Sequence, residues 1–217
     1  MKSSIGRKVL MALSGFFLLF FLLQHLTINL ISVFSEESFN SVSHFMGYNF
    51  FVQFILQPIL IFGIIFHLIM GMYLEVKNRK ARHIKYTKNN ANANSSWVSR
   101  NMIITGVMIL LFLALHLFDF WAFEMNYKYI EALPEDPNRY WHEMHVSFAP
   151  ISKLIVFIIS FVFLSLHLMH GFQSAFQSVG FNHNKYTPVL KKLGYAYAIL
   201  VPFLFMVVAA FHHFTQH

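Results

Sequence analysis

The chain has 217 residues, of which 57% are hydrophobic and only 12% are charged, about half the charged share of an ordinary soluble domain. This composition excludes a soluble globular domain and predicts an all-α membrane protein with several spans. The absence of cysteine excludes disulfides, iron–sulfur ligation by this chain and covalent cofactor attachment through a Cys-x-x-Cys-His motif, so its 13 histidines are the main candidate ligands.

Five apolar segments are each long enough to cross a bilayer as a helix. In chain order they cover residues 9–34, 51–76, 102–123, 150–176 and 193–214. The first follows Arg7 and Lys8 as a signal peptide would, but it is too long for a signal-peptide core and lacks a small-x-small cleavage site, so we interpret it as a retained span. We expect a single transmembrane domain over residues 1–217, with a polar loop between spans two and three.

The basic residues are distributed unevenly between the two sides of the membrane. Of the 16 lysines and arginines, only three lie on the side of the first and third connections, namely Lys128, Arg139 and, at the start of span four, Lys153; the other 13 lie at the N-terminus and in the second and fourth connections. Positive loops face the cytoplasm. The pattern therefore predicts a multi-pass protein of the bacterial inner (cytoplasmic) membrane with a cytoplasmic N-terminus, and it argues against nucleic acid as the reason for the net charge of +7.

Each of the first four spans contains one embedded histidine, namely His25, His67, His116 and His167. Each lies in the later part of its span, and successive spans run in opposite directions. We therefore expect His25 and His116 to share an outer layer and His67 and His167 to share an inner layer, separated by on the order of 10 Å.

Two histidines at one depth on facing helices are the ligand set of a bis-histidine haem. Zinc or a di-iron centre would require more ligands, usually including carboxylates. A single membrane histidine is more often a hydrogen-bond partner between helices, but four that sort into two depths favour two b-type haems stacked within a bundle of the first four helices. The metal ligands are then His25 and His116 for the outer haem and His67 and His167 for the inner haem.

Glycines accompany the inner histidines. Gly71 follows His67, and Gly171 follows His167, each by four residues and therefore on the same helix face. A glycine at this position allows a porphyrin to lie against the backbone. His170 lacks such a glycine, and we predict a hydrogen-bonding role for it rather than ligation.

These segments together resemble one family. They are Gln24-His25-Leu26, the loop at residues 38–46, His67-x-x-x-Gly71, Leu115-His116-Leu117 and His167-x-x-x-Gly171. The chain is similar over nearly its whole length to the five-helix, dihaem cytochrome b anchor of succinate:quinone oxidoreductases (succinate dehydrogenase/fumarate reductase, b558 type). In that family helices one and three hold the outer haem, and helices two and four hold the inner haem.

The resemblance implies a function within respiratory complex II and the tricarboxylic acid cycle. It implies a flavoprotein and an iron–sulfur partner on the cytoplasmic face, with electrons passing through the inner and then the outer haem to a quinone, which we expect to be menaquinone. The dicarboxylate chemistry then lies in the partner flavoprotein, and this chain is the quinone-reactive subunit of the enzyme.

The remaining candidate residues are assigned by position. Arg7, Lys77 and Arg100 lie near inner helix ends, where a haem propionate needs a counter-ion, and Ser14 or Trp97 could donate hydrogen bonds there. Quinone reduction requires hydrogen-bond donors and a protonatable group in contact with water. The outer-end candidates are His44, Gln53 and Asp119.

Two alternative functions remain open from the sequence. One is the membrane cytochrome b of another respiratory dehydrogenase, although one histidine per span fits it less well. The other is a transporter in which the four histidines form a proton or metal path. Two protohaems per chain would exclude the second alternative.

Overall fold

The computed structural model describes residues 3–80 and 100–215. Within these ranges the chain is all-helical, and five helices are long and apolar enough to cross a membrane. We number the helices in chain order: α1 Ser4–Phe34, α2 Glu36–Tyr48, α3 Val52–Lys80, α4 Met102–Ile130, α5 Tyr140–Phe148, α6 Ile151–Ser178 and α7 Thr187–Phe214. The five predicted spans correspond to α1, α3, α4, α6 and α7. The protein is thus a multi-pass membrane protein.

Ser35 separates the first span from the short helix that follows it. Its extended backbone (φ −155°, ψ 115°) ends α1, while its N–H still donates to Ile31 O (2.9 Å). Its side chain accepts from the N–H of Ser38 (3.1 Å), and Ser35 is therefore the N-cap of α2. Glu36 and Glu37 lie in the first turn of α2, where negative charge interacts favourably with the helix dipole. One serine therefore ends one helix and begins the next.

The structure differs from the sequence prediction in the two outer connections. Both contain a helix, α2 and α5, that the hydropathy pattern does not show because these segments are short and polar. The third span is also longer than predicted, because α4 continues beyond residue 123 to Ile130. It contains two π-helical stretches, Leu117–Ala122 and Asn126–Ile130. The last turns of α4 carry charged residues, so a span predicted from hydropathy ends earlier than the helix itself.

The antiparallel spans define two ends of the bundle. The basic end is where α1, α4 and α7 begin and α3 and α6 end, and it carries Arg7, Lys77 and Arg100. The capped end is the opposite one, where α2 and α5 lie. There Asn40 of α2 accepts from the backbone N–H of Trp141 (2.8 Å) and donates to Asn138 O (3.1 Å), and the Trp141 indole donates to Ser32 O of α1 (3.0 Å).

The apolar core lies in the half of the bundle next to the capped end. It is formed by buried side chains of α1, α2, α5, α6 and α7, among them Leu26, Phe148, Phe157 and Phe205. The fifth span α7 packs along α6 and α1, so the bundle that surrounds the histidines includes α7 as well as the first four spans. By contrast, no described residue of α3 is fully buried.

Candidate haem sites

The basic-end histidine pair consists of His67 on α3 and His167 on α6. Their ring centroids are 6.5 Å apart, with an angle of 65° between the ring planes. The imidazoles of these two helices therefore lie next to each other within the bundle. This is the pairing expected for the inner layer.

A hydroxyl group contacts the Nδ1 atom of each of these two histidines. Ser14 Oγ lies 3.0 Å from Nδ1 of His67, and Thr105 Oγ1 lies 3.2 Å from Nδ1 of His167. Each hydroxyl donates its own hydrogen to a carbonyl of its helix, Met11 O (2.8 Å) or Met102 O (3.0 Å). A hydroxyl has one hydrogen to donate, so while that hydrogen is donated to the carbonyl, the oxygen accepts from the histidine.

With the hydroxyl hydrogens on the carbonyls, these contacts favour one tautomer of both imidazoles. Nδ1 carries the hydrogen, and the lone pair is on Nε2, where a metal can bind. A metal-bound histidine usually donates its other N–H in this way, and the contact orients the ring and increases its basicity. Ser14 was predicted as a hydrogen-bond donor to a propionate. That role stays a prediction; the structure places the Ser14 hydroxyl beside His67, and Thr105 has the equivalent place beside His167.

Glycines lie next to the same two hydroxyl residues. A Cβ atom at Gly15 would lie 3.8 Å from Cε1 of His67, and one at Gly106 would lie 3.7 Å from Cε1 of His167. A longer side chain at either position would meet the imidazole. This explains why Gly15 and Gly106 each precede the next histidine of their helix by ten residues.

The capped-end pair consists of His25 on α1 and His116 on α4. Their ring centroids are 5.8 Å apart, with an interplanar angle of 82°. Gly15 and Gly106 lie beside the basic-end pair, and each is ten residues from the capped-end histidine of its own helix. At 1.5 Å per residue, the two pairs are therefore about 15 Å apart along the helices. This distance is greater than the value on the order of 10 Å expected from the sequence.

Aromatic rings enclose the capped-end pair. Phe21 and Phe205 lie 5.4 and 5.7 Å from the His25 ring, and Phe112 and Phe120 lie 5.7 and 5.1 Å from the His116 ring. The amide of Asn29 lies 3.4 Å from Nδ1 of His25. Nδ1 of His116 is buried and has no hydrogen-bond partner among the described residues.

Both pairs fit the spacing of two axial ligands on one iron. An imidazole nitrogen binds a metal at about 2 Å and lies about 1.2 Å from its ring centre, so two axial imidazoles place their centres about 6.3 Å apart. The observed 5.8 and 6.5 Å bracket this value. The angle between the two ring planes can take any value, because rotation of either ring about the axis through the iron does not change the distance between the ring centres.

Across residues 3–80 and 100–215, no group of three or more His, Asp or Glu side chains could hold a metal ion.

We expect Ser14→Ala or Thr105→Val to weaken haem binding at the basic-end pair by about 10- to 100-fold, as loss of a ligand-orienting hydrogen bond does elsewhere. Haem titration into apoprotein, followed by absorbance, measures the change. Ser160→Ala is the matched control, because Ser160 also donates to a helix carbonyl, Val156 O (2.7 Å). Equal haem affinity in all three variants and the parent chain would contradict the role of the hydroxyls.

The other basic-end candidates have different surroundings. Met11 Cε lies 3.5 Å from a Cβ built at Gly71, whereas a Cβ at Gly171 would have open space. The guanidinium of Arg7 lies 5.7 Å from the Tyr73 ring centre. Lys77 and Arg100 are at the basic end and exposed, and Trp97 lies outside the described residues. His170 is half-buried, one turn beyond His167 on α6.

A cluster of charged side chains lies at the capped end between α4 and α5. Arg139 contacts both Glu124 and Glu143 (2.7 Å), and Glu124 also pairs with Lys128 (2.6 Å). The Arg139 side chain is only 7% exposed and lies between the rings of Tyr127 (3.9 Å) and Tyr140 (4.4 Å). Two cations thus balance two carboxylates in a largely buried position.

Two of the three quinone candidates border this cluster. The Gln53 amide donates to Gly47 O and accepts from the Tyr129 hydroxyl (3.3 Å), while Lys128 Nζ also donates to Gly47 O (2.5 Å). The His44 ring lies 6.3 Å from that of Tyr140. Asp119 is elsewhere, in an ion pair with Lys153 of α6 (2.9 Å).

The sequence prediction missed Thr105, Glu124, Lys128 and Arg139. The sequence did contain a sign of the ion pair between Glu124 and Lys128, because the two residues are four apart, the usual spacing of ion pairs within a helix. They lie beyond the predicted end of the span, and the prediction therefore did not use them. Thr105 immediately precedes Gly106 just as Ser14 precedes Gly15, a repeat that the sequence contains.

Fold and site together define an all-α, multi-pass membrane protein with two stacked histidine pairs in its bundle. The succinate dehydrogenase cytochrome b558 subunit of Bacillus subtilis (strain 168) is 31% identical to this chain over 103 residues. The match covers 46% of this chain and 46% of that protein, so the two correspond over about half their length. No family model and no solved structure matches the chain. The likeness supports a relationship to the cytochrome b558 family.

Proposed function

We propose that this chain is the membrane-anchor cytochrome b subunit of a succinate:quinone oxidoreductase, either a succinate dehydrogenase or a fumarate reductase. The observation that carries the proposal is the geometry of the two histidine pairs, above all the hydroxyl contacts that leave Nε2 of His67 and His167 available for iron. The partial likeness to the B. subtilis subunit supports the same assignment.

His67 and His167 would hold one haem b, and His25 and His116 the other. When bound, the two haems would supply one-electron transfer between the two ends of the bundle. The task of the chain is to hold each imidazole in one tautomer and orientation and to exclude water with the surrounding phenylalanines. At the basic end, Ser14 and Thr105 would orient the imidazoles of His67 and His167. At the capped end, the aromatic rings around His25 and His116 would exclude water.

The basic end would be cytoplasmic and would carry the flavoprotein and iron–sulfur partners. It contains the exposed residues Lys77, Arg79 and Lys80 at the end of α3 and Lys191 and Lys192 in α7. Positive charge on this side follows from the orientation rule, and it also suits an acidic docking face. The capped end would then face the outer side.

The quinone, expected to be menaquinone, would react at the capped end beside His44. Nε2 of His44 lies 3.8 Å from Glu135, whose side chain is 62% exposed and in contact with solvent. Nδ1 of His44 is buried and has no hydrogen-bond partner within the described ranges. His44 can therefore hold a proton at Nδ1 for a quinone oxygen and be reprotonated from the Glu135 side, whereas the Gln53 amide and Asp119 are already engaged.

Purification of the tagged chain from its native membranes tests the proposal. We expect flavin-bearing and iron–sulfur subunits to copurify, two haems b per chain in a pyridine haemochrome assay, and reduction of that haem by succinate. Haem without succinate-dependent reduction would assign the chain to another respiratory dehydrogenase. Absence of haem would favour a transporter and overturn the proposal.

A further inference from the structure

A second histidine pair lies at the capped end, beyond His25 and His116. His145 of α5 is 7% exposed and His212 of α7 is fully buried. Their Nδ1 atoms are 2.7 Å apart. Nε2 of His212 lies 2.8 Å from Ser32 Oγ, and Nε2 of His145 lies 3.1 Å from Oγ1 of the exposed Thr215.

Most hydrogens in this chain of contacts can be placed from the heavy atoms. Ser32 donates its hydroxyl hydrogen to Asn29 O (2.6 Å), so its oxygen accepts from Nε2–H of His212. Nδ1 of His212 then carries the lone pair and accepts from Nδ1–H of His145. Trp141 O lies 3.2 Å from the same Nδ1 of His145, and a carbonyl can only accept, which agrees with this placement.

The remaining atom, Nε2 of His145, can exist in two states without movement of any heavy atom. When Thr215 donates to Phe211 O (2.7 Å), its oxygen accepts a hydrogen from Nε2, and His145 is a cation with both nitrogens donating. When the Thr215 hydroxyl turns to donate to Nε2, His145 is neutral. The two states differ by one proton, which passes between surface water and Nε2 through the hydroxyl of Thr215, and the hydroxyl turns to suit each state.

This pair lies about two helical turns from the capped-end haem site. Ser32 follows His25 by seven residues on α1, and His212 follows Phe205 by seven on α7, which corresponds to about 10 Å along each helix. Phe205 is the ring that packs 5.7 Å from His25. Asn29 connects the two regions, because its side chain donates to His25 O (2.8 Å) and its own carbonyl accepts from Ser32. A charge at either place acts on the other through an apolar, poorly screening interior.

We propose that the His145–His212 pair is a redox-linked proton site: it takes up one proton from the capped-end surface through Thr215, at His145 Nε2, when the haem held by His25 and His116 is reduced. The electron comes from the iron–sulfur partner and the proton comes from water. The protein therefore gains one negative and one positive charge together. Oxidation of that haem returns the proton to the surface. This inference rests on the proposed function.

The charges around His145 determine the pH range in which this occurs. Burial lowers the pKa of His145, the Trp141 carbonyl and Glu36 of α2 raise it, and His142 of the same helix lowers it. On the neighbouring helices, His213 of α7 contacts Phe148 O (2.9 Å), and Lys153 of α6 is held by Asp119 and Ser147.

The sign of the pH dependence follows from linkage. Burial favours the neutral form of His145 while the haem is oxidised, and reduction of the haem raises the proton affinity of His145. Between the two pKa values the midpoint potential of that haem must fall as the pH rises.

Optical redox titration of the purified complex at a series of pH values tests the proposal. We expect one of the two haems to show a pH-dependent midpoint potential, and His145→Gln to remove that dependence. His142→Gln is the matched control, because it changes an exposed histidine on the same short helix, and it should retain the dependence. Thr215→Val should move the dependent range to lower pH, because the cation at Nε2 loses its acceptor.

A second readout covers the case in which His145→Gln does not assemble. Redox difference infrared spectra of ¹⁵N-histidine-labelled wild-type complex should show imidazole bands that indicate protonation on reduction, and Thr215→Val should alter them. Two haems with unchanged pH dependence in His145→Gln would overturn this inference while leaving the proposed function intact. Absence of two haems from the wild-type complex would instead contradict the proposed function.

Discussion

A chain carrying His167→Ala should retain one haem rather than two. Loss of one axial nitrogen leaves His67 as the only protein ligand of that site, while the other pair, about 15 Å along the bundle, keeps both of its ligands. The pyridine haemochrome assay measures the content directly. His170→Ala, one turn further along α6, is the control and should retain both haems.

Double variants test the pairing itself. His67→Ala/His167→Ala removes both ligands of one site and should still leave one haem per chain. His25→Ala/His67→Ala removes one ligand from each site and should leave none. If the pairing were His25 with His67, these two outcomes would be exchanged, and the assignment of the pairs would be wrong.

Imidazole supplied in solution provides a check against simple misfolding. In His167→Gly, the site retains Thr105, whose oxygen lies 3.2 Å from Nδ1 of the native ring, and Gly106 beside it. Added imidazole should therefore restore the second haem. A chain that had lost its fold would not recover haem in this way.

Arg139→Gln should lower the free energy of unfolding by about 3–5 kcal/mol, the range found when one partner of a buried ion pair is removed. The Arg139 side chain is 7% exposed and pairs with both Glu124 and Glu143, so its loss leaves Glu124 with Lys128 and takes from Glu143 the cation that it pairs with. Burial raises the pKa of Glu143 and Arg139 lowers it. In the variant, Glu143 should therefore take up a proton more readily, which offsets part of the loss.

Denaturant unfolding in detergent, followed by the fluorescence of Trp141 and the other tryptophans, measures this change. Arg79→Gln is the matched control: Arg79 also pairs with a glutamate four residues away, Glu75 (2.6 Å), but its side chain is 66% exposed, and the expected loss is below about 1 kcal/mol. Arg139→Gln/Glu143→Gln should recover part of the stability. Equal losses for Arg79→Gln and Arg139→Gln would show that the charged cluster at the capped end does not stabilise the fold.

Hydropathy was sufficient to locate the five spans, because each must present about 20 apolar residues to lipid whatever its neighbours are. It failed for α2, α5 and the last turns of α4, where polar residues are stabilised by contacts with other helices. Arg139 illustrates this: in the sequence it is one cation in a connection, and only its two carboxylates and two tyrosine rings make it a structural residue.

The sequence by itself predicted which histidines lie in the long apolar helices and, through the alternating direction of the spans, which of them share a depth. Rise per residue and antiparallel order are properties of any helical chain, so this inference required no side-chain positions. Only the tertiary structure decided which nitrogen of each imidazole is available, because that depends on a hydroxyl from another helix, Ser14 for His67 and Thr105 for His167. Only the tertiary structure joined His145 and His212, 67 residues apart, into one hydrogen-bonded pair, because a contact between distant segments is set by packing and leaves no periodic trace in the sequence.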